Sequence, residues 1–240
     1  MMKPNYEKIL QARKSRRSRK DPFIAFINKI STLDNLFKMV HKKTKNKNII
    51  QECRGQIVIG LVSALEVYFK DIALLLLENC HVHEKDVMDK DMKVDLIELR
   101  EMINRKITLP ELVLWQYDFS YLPDLQKFFS NGFKIDFMSE LKKSAFEIDE
   151  KKGFIPIKIH KETKYDEFSD KYFYLDKDFY RNIQDVLNVR NTLVHDFDPK
   201  FKLTKGEVEK FGSNIFGFVF FIDTFISNLC AQRKRKVVGN

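Results

Sequence analysis

The sequence predicts an all-α protein, a helical bundle with one small β-hairpin inserted, and three observations carry that expectation. Apolar residues recur at helical spacing over long stretches. Phe23, Phe26, Ile27, Ile30, Leu33, Phe37 and Val40 form one such series, and Val208, Phe211, Ile215, Phe218, Val219, Ile222, Phe225, Ile226 and Leu229 form another. Helix start signals stand immediately before both: Asp21-Pro22 places an N-cap acid ahead of a first-turn proline, and Thr204-x-x-Glu207 is a capping box. With 44% hydrophobic residues and 22 Phe among 240, the chain can bury a full core. Length permits one large domain or two small ones; the reading adopted is one helical domain, 21–230, between a basic arm, 1–20, and a basic tail, 231–240.

Taken in order, the first amphipathic helix starts at Asp21-Pro22 and leads through a Lys/Asn-rich link, 41–48, into a long apolar helix over about 49–78. A third helix is expected over 92–105. A shorter one begins near Pro123 and stops at Asn131-Gly132, a helix-ending pair. The stretch 133–170 is the least helical. There Phe146/Ile148 and Ile157/Ile159 alternate around the turn-like Glu150-Lys151-Lys152-Gly153, the pattern of a hairpin insertion. A helix from about Asp176 should end before Asp198-Pro199, because the residue ahead of a proline is pushed out of the α region. The final helix follows the Thr204 capping box.

The net charge of +9, from 43 Lys+Arg against 34 Asp+Glu, favours a polyanionic partner. Arg13, Arg16, Arg17 and Arg19 belong to a run of six cations in 13–20, and Arg233-Lys234-Arg235-Lys236 is a second cluster. These runs suit solvated arms as well as they suit RNA contacts. Three cysteines at wide spacing, Cys53, Cys80 and Cys230, suit free thiols in a reducing cytosol. The N-terminus carries no secretory pattern, and the two most apolar stretches, 57–77 and 215–230, are interrupted by charges such as Glu66, Lys70, Asp71 and Asp223, so they read as core helices of a cytoplasmic protein that needs no membrane.

The most specific stretch is Arg190-Asn191-Thr192-Leu193-Val194-His195. An Arg, an Asn directly after it and a His five positions on arise by chance about 0.01 times in a chain of this composition. At about 100° per residue, Arg190 and His195 lie about 140° apart around a helix, whereas Asn191 and His195 are i,i+4 neighbours. Asn191 can therefore hold His195 or a phosphate, and Arg190 must swing round or approach from the flank. A structural account also fits: Arg190 pairing with an acid such as Asp185, and His195 closing the helix C-terminus.

Arg-Asn-x-x-x-His resembles the Arg-x4–6-His motif of HEPN domains, small all-α ribonuclease modules of prokaryotic defence and toxin systems. The segment Leu61-Val62-Ser63-Ala64-Leu65-Glu66-Val67-Tyr68-Phe69-Lys70-Asp71 is similar to the early core helix of the MAE-type subgroup of HEPN nucleases. The resemblance extends over roughly 50–230, with the motif as its specific part. It implies a HEPN-like bundle and a metal-independent endoribonuclease, without cofactor, in which the RNA 2′-hydroxyl attacks its own phosphate and leaves a 2′,3′-cyclic end.

On that reading His195 is base or acid, since imidazole changes protonation near neutral pH and the negative end of a helix dipole attracts a cation. Arg190 is the planar cation for the transition-state phosphate, beside Asn191. One Arg and one His per chain is a thin set for work at two oxygens. Two copies about a two-fold axis supply two of each, as HEPN ribonucleases are understood to do, so a homodimer with a composite cleft is expected. Glu66 either orients Arg190 or forms an i,i+4 pair with Lys70 on the wet face of its helix; Lys70 is also an RNA-contact candidate. HEPN toxins silenced by a nucleotidyltransferase antitoxin carry a Tyr two residues after the His, where this chain has Phe197, which places that route in doubt and leaves an antitoxin or regulatory partner unnamed. The alternative function is a non-catalytic HEPN-like RNA-binding or dimerisation adaptor.

Other constellations are weaker. Cys80-His81-x-His83 lacks a second ligand pair and reads as a turn after a helix. Asp136 with Glu140-x-Lys142 lacks the strand pattern of metal-dependent nucleases, and no metal site is assigned.

Overall fold

Capped helices alternate with short turns along the computed structural model, which describes residues 6–16, 21–89, 95–149, 153–158, 172–175, 178–195 and 202–238. Among these residues the order is α1 (Tyr6–Arg16), α2 (Pro22–Lys43), α3 (Lys47–Glu78), α4 (Glu84–Val87), α5 (Leu96–Asn104), α6 (Leu109–Trp115), α7 (Leu122–Phe133), α8 (Phe137–Lys142), β1 (Ser144–Asp149), β2 (Gly153–Lys158), β3 (Tyr172–Tyr174), α9 (Phe179–His195) and α10 (Lys205–Val238). The fold is all-α in class, with a small sheet as its embellishment.

Helix starts follow local chemistry. The Asp21 carboxylate accepts from the amides of Phe23 at 2.9 Å and Ile24 at 3.0 Å, filling two of the orphan donors of α2. Thr204 and Glu207 close the expected capping box: Glu207 accepts from the Thr204 amide at 2.7 Å and donates its own amide to Thr204 Oγ1 at 3.2 Å. Two further boxes, Asp95 with Glu98 and Thr108 with Glu111, open α5 and α6. The third helix therefore begins at Leu96 rather than Met92, with residue 92 outside the described residues. Helices α4, α6 and α8 have 4, 7 and 6 residues, too short for a 3.6-residue period to declare itself.

Helix ends correct one expectation. Gly132 does not terminate α7; it lies inside it, buried, where an added Cβ would stand 2.8 Å from Val82 Cγ1. The left-handed terminal residue is Lys134, at φ 56°. Cys80 and Lys106 end α3 and α5 in the same conformation, at φ 56° and 54°. At Cys80 the His81 amide reaches Leu76 O at 2.9 Å and the Cys80 amide reaches Leu77 O at 3.1 Å, a Schellman closure. Cys80-His81-x-His83 is thus a helix-ending turn, as its sequence context implied.

The chain divides into two compact units, each assembled from separate segments: Met1–Phe26 with Glu66–Ile135, and Ile27–Leu65 with Asp136–Asn240. The core of the first is aromatic: Phe26 and Tyr68 rings lie 5.7 Å apart, Phe69 meets Phe129 at 6.1 Å, and Phe128 meets Phe129, Tyr117 and Phe119 at 5.2, 5.2 and 5.6 Å. Edge-to-face pairs of this kind add to the burial term. A satellite cluster of Ile9, Met102, Ile107 and Leu112 fastens α1 to α5 and α6.

In the second unit β1 is the centre of an antiparallel sheet of order β2-β1-β3. The β1–β2 hairpin pairs Ser144 with Lys158 through to Asp149 with Gly153, which is the insertion expected from the alternation; β3 was not foreseen. Pro156 has no N–H for a ladder and sits in an edge strand, the position that tolerates it. Phe146 on β1 meets Phe221 of α10 at 5.1 Å, Phe137 of α8 meets Phe225 at 5.5 Å, and Phe179 of α9 stacks on Phe218 at 5.8 Å. These contacts occupy the apolar face of α10. The stretch Lys205–Arg233 is, among the described residues, long and apolar enough to cross a membrane by length and composition.

Candidate functional site

Helix α9 carries the motif. Its buried residues Phe179, Ile183, Val186 and Leu187 form an inward stripe at i, i+4, i+7 and i+8. Extending the stripe by one turn reaches Arg190 and then Leu193, whose Cδ2 lies 3.6 Å from the position of a Cβ built on Gly55 of α3. Within this unit α9 is thus held by α10 through its first half and by α3 near its end. Arg190 is half-buried, whereas Asn191, Val194 and His195 are exposed.

The amide of Asn191 resolves the angular mismatch between Arg190 and His195. Arg190 Nη1 donates to Asn191 Oδ1 at 3.1 Å, so the guanidinium reaches from the inward stripe toward the exposed line that Asn191 shares with His195. Asn191 therefore holds Arg190, and Arg190 is not paired with Asp185. The Arg190 Nε is buried with no hydrogen-bond partner among the described residues. A desolvated, unsatisfied donor of this kind costs roughly 1–3 kcal/mol and calls for an explanation. His195 is the last residue of α9.

The other candidates are placed as follows. Glu66, in the first unit, pairs with Lys70 at 2.5 Å along α3, the i,i+4 pair that was one of its two readings. Ser63 donates to Ile59 O at 2.8 Å. Arg13 is committed inside the molecule. Its Nε donates to Glu111 Oε1 at 2.7 Å, its Nη2 pairs with Glu111 Oε2 and reaches Lys106 O at 2.6 Å, and its Nη1 reaches Arg105 O at 3.4 Å. Burial pushes the Glu111 carboxyl up, but bonds from Arg13 and Thr108 outweigh it and hold the group below its ordinary value; the bond to Glu111 raises Arg13. The basic run is thus partly a structural helix, α1. The Arg16 side chain, and Arg17, Arg19 and Phe197 entirely, lie outside the described residues. Helix α10 carries the C-terminal basic cluster as far as Val238.

Asp136 caps α8 by accepting from the Ser139 amide at 3.2 Å, and Glu140 pairs with Lys143 at 3.4 Å, so both serve local structure. Among the described residues no group of three or more His, Cys, Asp or Glu is arranged to hold a metal ion.

Sequence reasoning missed a polar network centred on Arg54, the neighbour of the Gly55 that faces Leu193 of α9. Arg54 of α3 donates through Nη1 to Leu203 O at 2.8 Å and through Nε to His41 Nε2 at 3.3 Å, while His41 Nδ1 meets Phe37 O at 2.9 Å. That network anchors Leu203, two residues ahead of α10. In the sequence Arg54 is one of several polar residues in the first turns of α3, with Gln51, Glu52 and Gln56, and nothing singled it out. Comparison of the chain with family models, curated proteins and solved structures gives no match.

Proposed function

We propose that the protein is a metal-independent endoribonuclease of HEPN type, working on RNA in the cytoplasm as an effector of a prokaryotic defence or toxin system. The observation that carries this reading is the Arg190–Asn191 bond, which brings a fixed cation toward the exposed line of α9 that ends in His195. In that reading His195 moves a proton between the attacking 2′-oxygen or the leaving 5′-oxygen and solvent. Arg190 offers its remaining donors to the phosphate as charge builds on it, and Asn191 orients Arg190.

Asn191, Val194 and His195 are all exposed on α9, the surface a second copy needs to reach for a composite cleft. The half-buried setting of Arg190 favours the second reading, an RNA-binding or dimerisation adaptor without turnover, because an arginine on an inward stripe also serves packing.

The test is incubation of the purified protein with total RNA in EDTA. Cleavage should persist, leave 2′,3′-cyclic ends and spare DNA, which lacks the 2′-hydroxyl. It should vanish in His195→Ala and Arg190→Ala proteins that remain folded. A requirement for Mg²⁺, equal cutting of DNA, or near-original rates in both variants would reject the mechanism.

A further inference from the structure

Between α9, α10 and the end of β3 lies a pocket of about 160 Å³, lined in part by Asn182, Ser213, Asn214, Gly217, Phe179 and Tyr174. Its volume is about half the lower end of the ~300 Å³ range of drug-sized sites, which suits one planar ring system rather than a larger ligand. Two carboxamides line it. Asn182 and Asn214 are half-buried, and neither side chain has a hydrogen-bond partner among the described residues.

Gly217 lines the same pocket and, like Gly206 and Gly212 of α10, has open space where a side chain would stand. A glycine inside a helix weakens it relative to alanine. Close packing would excuse that, as it does at Gly132, yet a Cβ built on Gly217 meets nothing within 4 Å. The space above it is open, so nothing in the described chain accounts for the missing side chain.

We propose that this pocket takes one unpaired nucleobase of an RNA strand and thereby sets the sequence at which the strand is cut. A carboxamide presents a donor beside an acceptor, the complement of a base edge and of adenine N6 and N7 in particular; aromatic walls offer the flat apolar contact that a splayed base needs. Asn182 stands eight residues before Arg190 on the same helix, about 12 Å along its axis, so the pocket reads a base a few nucleotides from the phosphate that Arg190 meets. The inference rests on the reading of α9 as the RNA-cleaving surface.

The experiment measures binding of single-stranded A8, C8 and U8 RNAs to the full-length His195→Ala protein by fluorescence anisotropy. The same titrations are run on that background with Asn182→Ala, Asn214→Ala and Gly217→Leu, the last adding bulk to open space without removing a polar group. One RNA, A8, should bind about tenfold tighter than the others, and each added substitution should remove most of that advantage while changing the weaker two little. Equal binding of all three RNAs, no binding of any, or a preference that survives every variant with an unchanged melting temperature overturns the proposal. Wild-type cleavage without base preference removes the pocket's role and leaves the nuclease reading standing. Base-selective binding by a protein that never cuts removes the nuclease and keeps the pocket.

Discussion

Arg13→Ala separates a structural cation from an RNA contact. In the folded chain Glu111 is 7% exposed, and its carboxylate meets Arg13 at both oxygens as well as the Thr108 amide and hydroxyl. Removing the guanidinium leaves a buried carboxylate with only the Thr108 donors, and it strips the carbonyls of Arg105 and Lys106 of a charged partner. Breaking a buried pair by deleting one member typically costs about 3–5 kcal/mol. For a chain of this size that is roughly a 6–20 °C fall in Tm, at about 2–4 °C per kcal/mol. Urea unfolding followed by circular dichroism measures it. The sign with pH follows from the lowered Glu111 carboxyl: its stabilisation is complete above the unfolded carboxylate value of about 4.3 and fades as pH falls through the lower folded value. In the wild type this contribution should therefore hold from pH 7 to about 5 and fade below about 4, whereas in Arg13→Ala the desolvated carboxyl has lost its main lowering partner, so the gap between the two proteins should narrow as pH falls. A loss under about 1 kcal/mol, or a weakened RNA affinity with unchanged stability, would refute the argument and return Arg13 to the RNA-binding surface.

On the proposed nuclease reading, Asn191→Ala should lower RNA turnover by about tenfold with little change in melting, because it frees Arg190 from the one side chain that bonds it among the described residues; an unchanged kcat would show that the Arg190–Asn191 bond has no part in activity. Mixing His195→Ala with wild type, under confirmed subunit exchange, should lose activity faster than wild-type chains are diluted if the cleft is composite; a proportional decline, or a monomer that cuts RNA in ultracentrifugation, excludes that cleft. Gly132→Ala places a methyl 2.8 and 2.9 Å from the two methyls of fully buried Val82. Overpacking of about 1–3 kcal/mol should outweigh the roughly 1 kcal/mol gained in helix propensity, and a raised Tm would contradict this. Lys106→Gly relieves a left-handed residue at φ 54° and should stabilise by about 1 kcal/mol, read as a higher urea midpoint with unchanged slope.

Much of the helical framework was legible because amphipathic periods and caps are local. The spacing from Phe23 to Val40, the acid at Asp21 and the Thr204-Glu207 box each act within one or two turns, and α2 and α10 begin where those signals place them. The hairpin was legible for the same reason, since alternation around Gly153 needs no distant partner. Short helices left no readable period, and a three-residue strand such as β3 exists through its pairing with β1. Gly132 was misread because the sequence shows that a glycine is small and cannot show whether smallness serves a turn or the approach of Val82, fifty positions away.

For the candidate site, the sequence named the residues on which the proposed chemistry rests: a fixed cation, an amide directly after it and an imidazole on one helix, with the cation set off by about 140° from the imidazole. Tertiary structure decided what each is free to do. Burial of the inward stripe makes Arg190 half-buried and turns its reach toward Asn191, packing against α6 commits Arg13 to Glu111, and the meeting of α9 with α10 leaves open space over Gly217. Those outcomes depend on which surfaces exclude water together, a property of non-local contact that no stretch of sequence contains by itself.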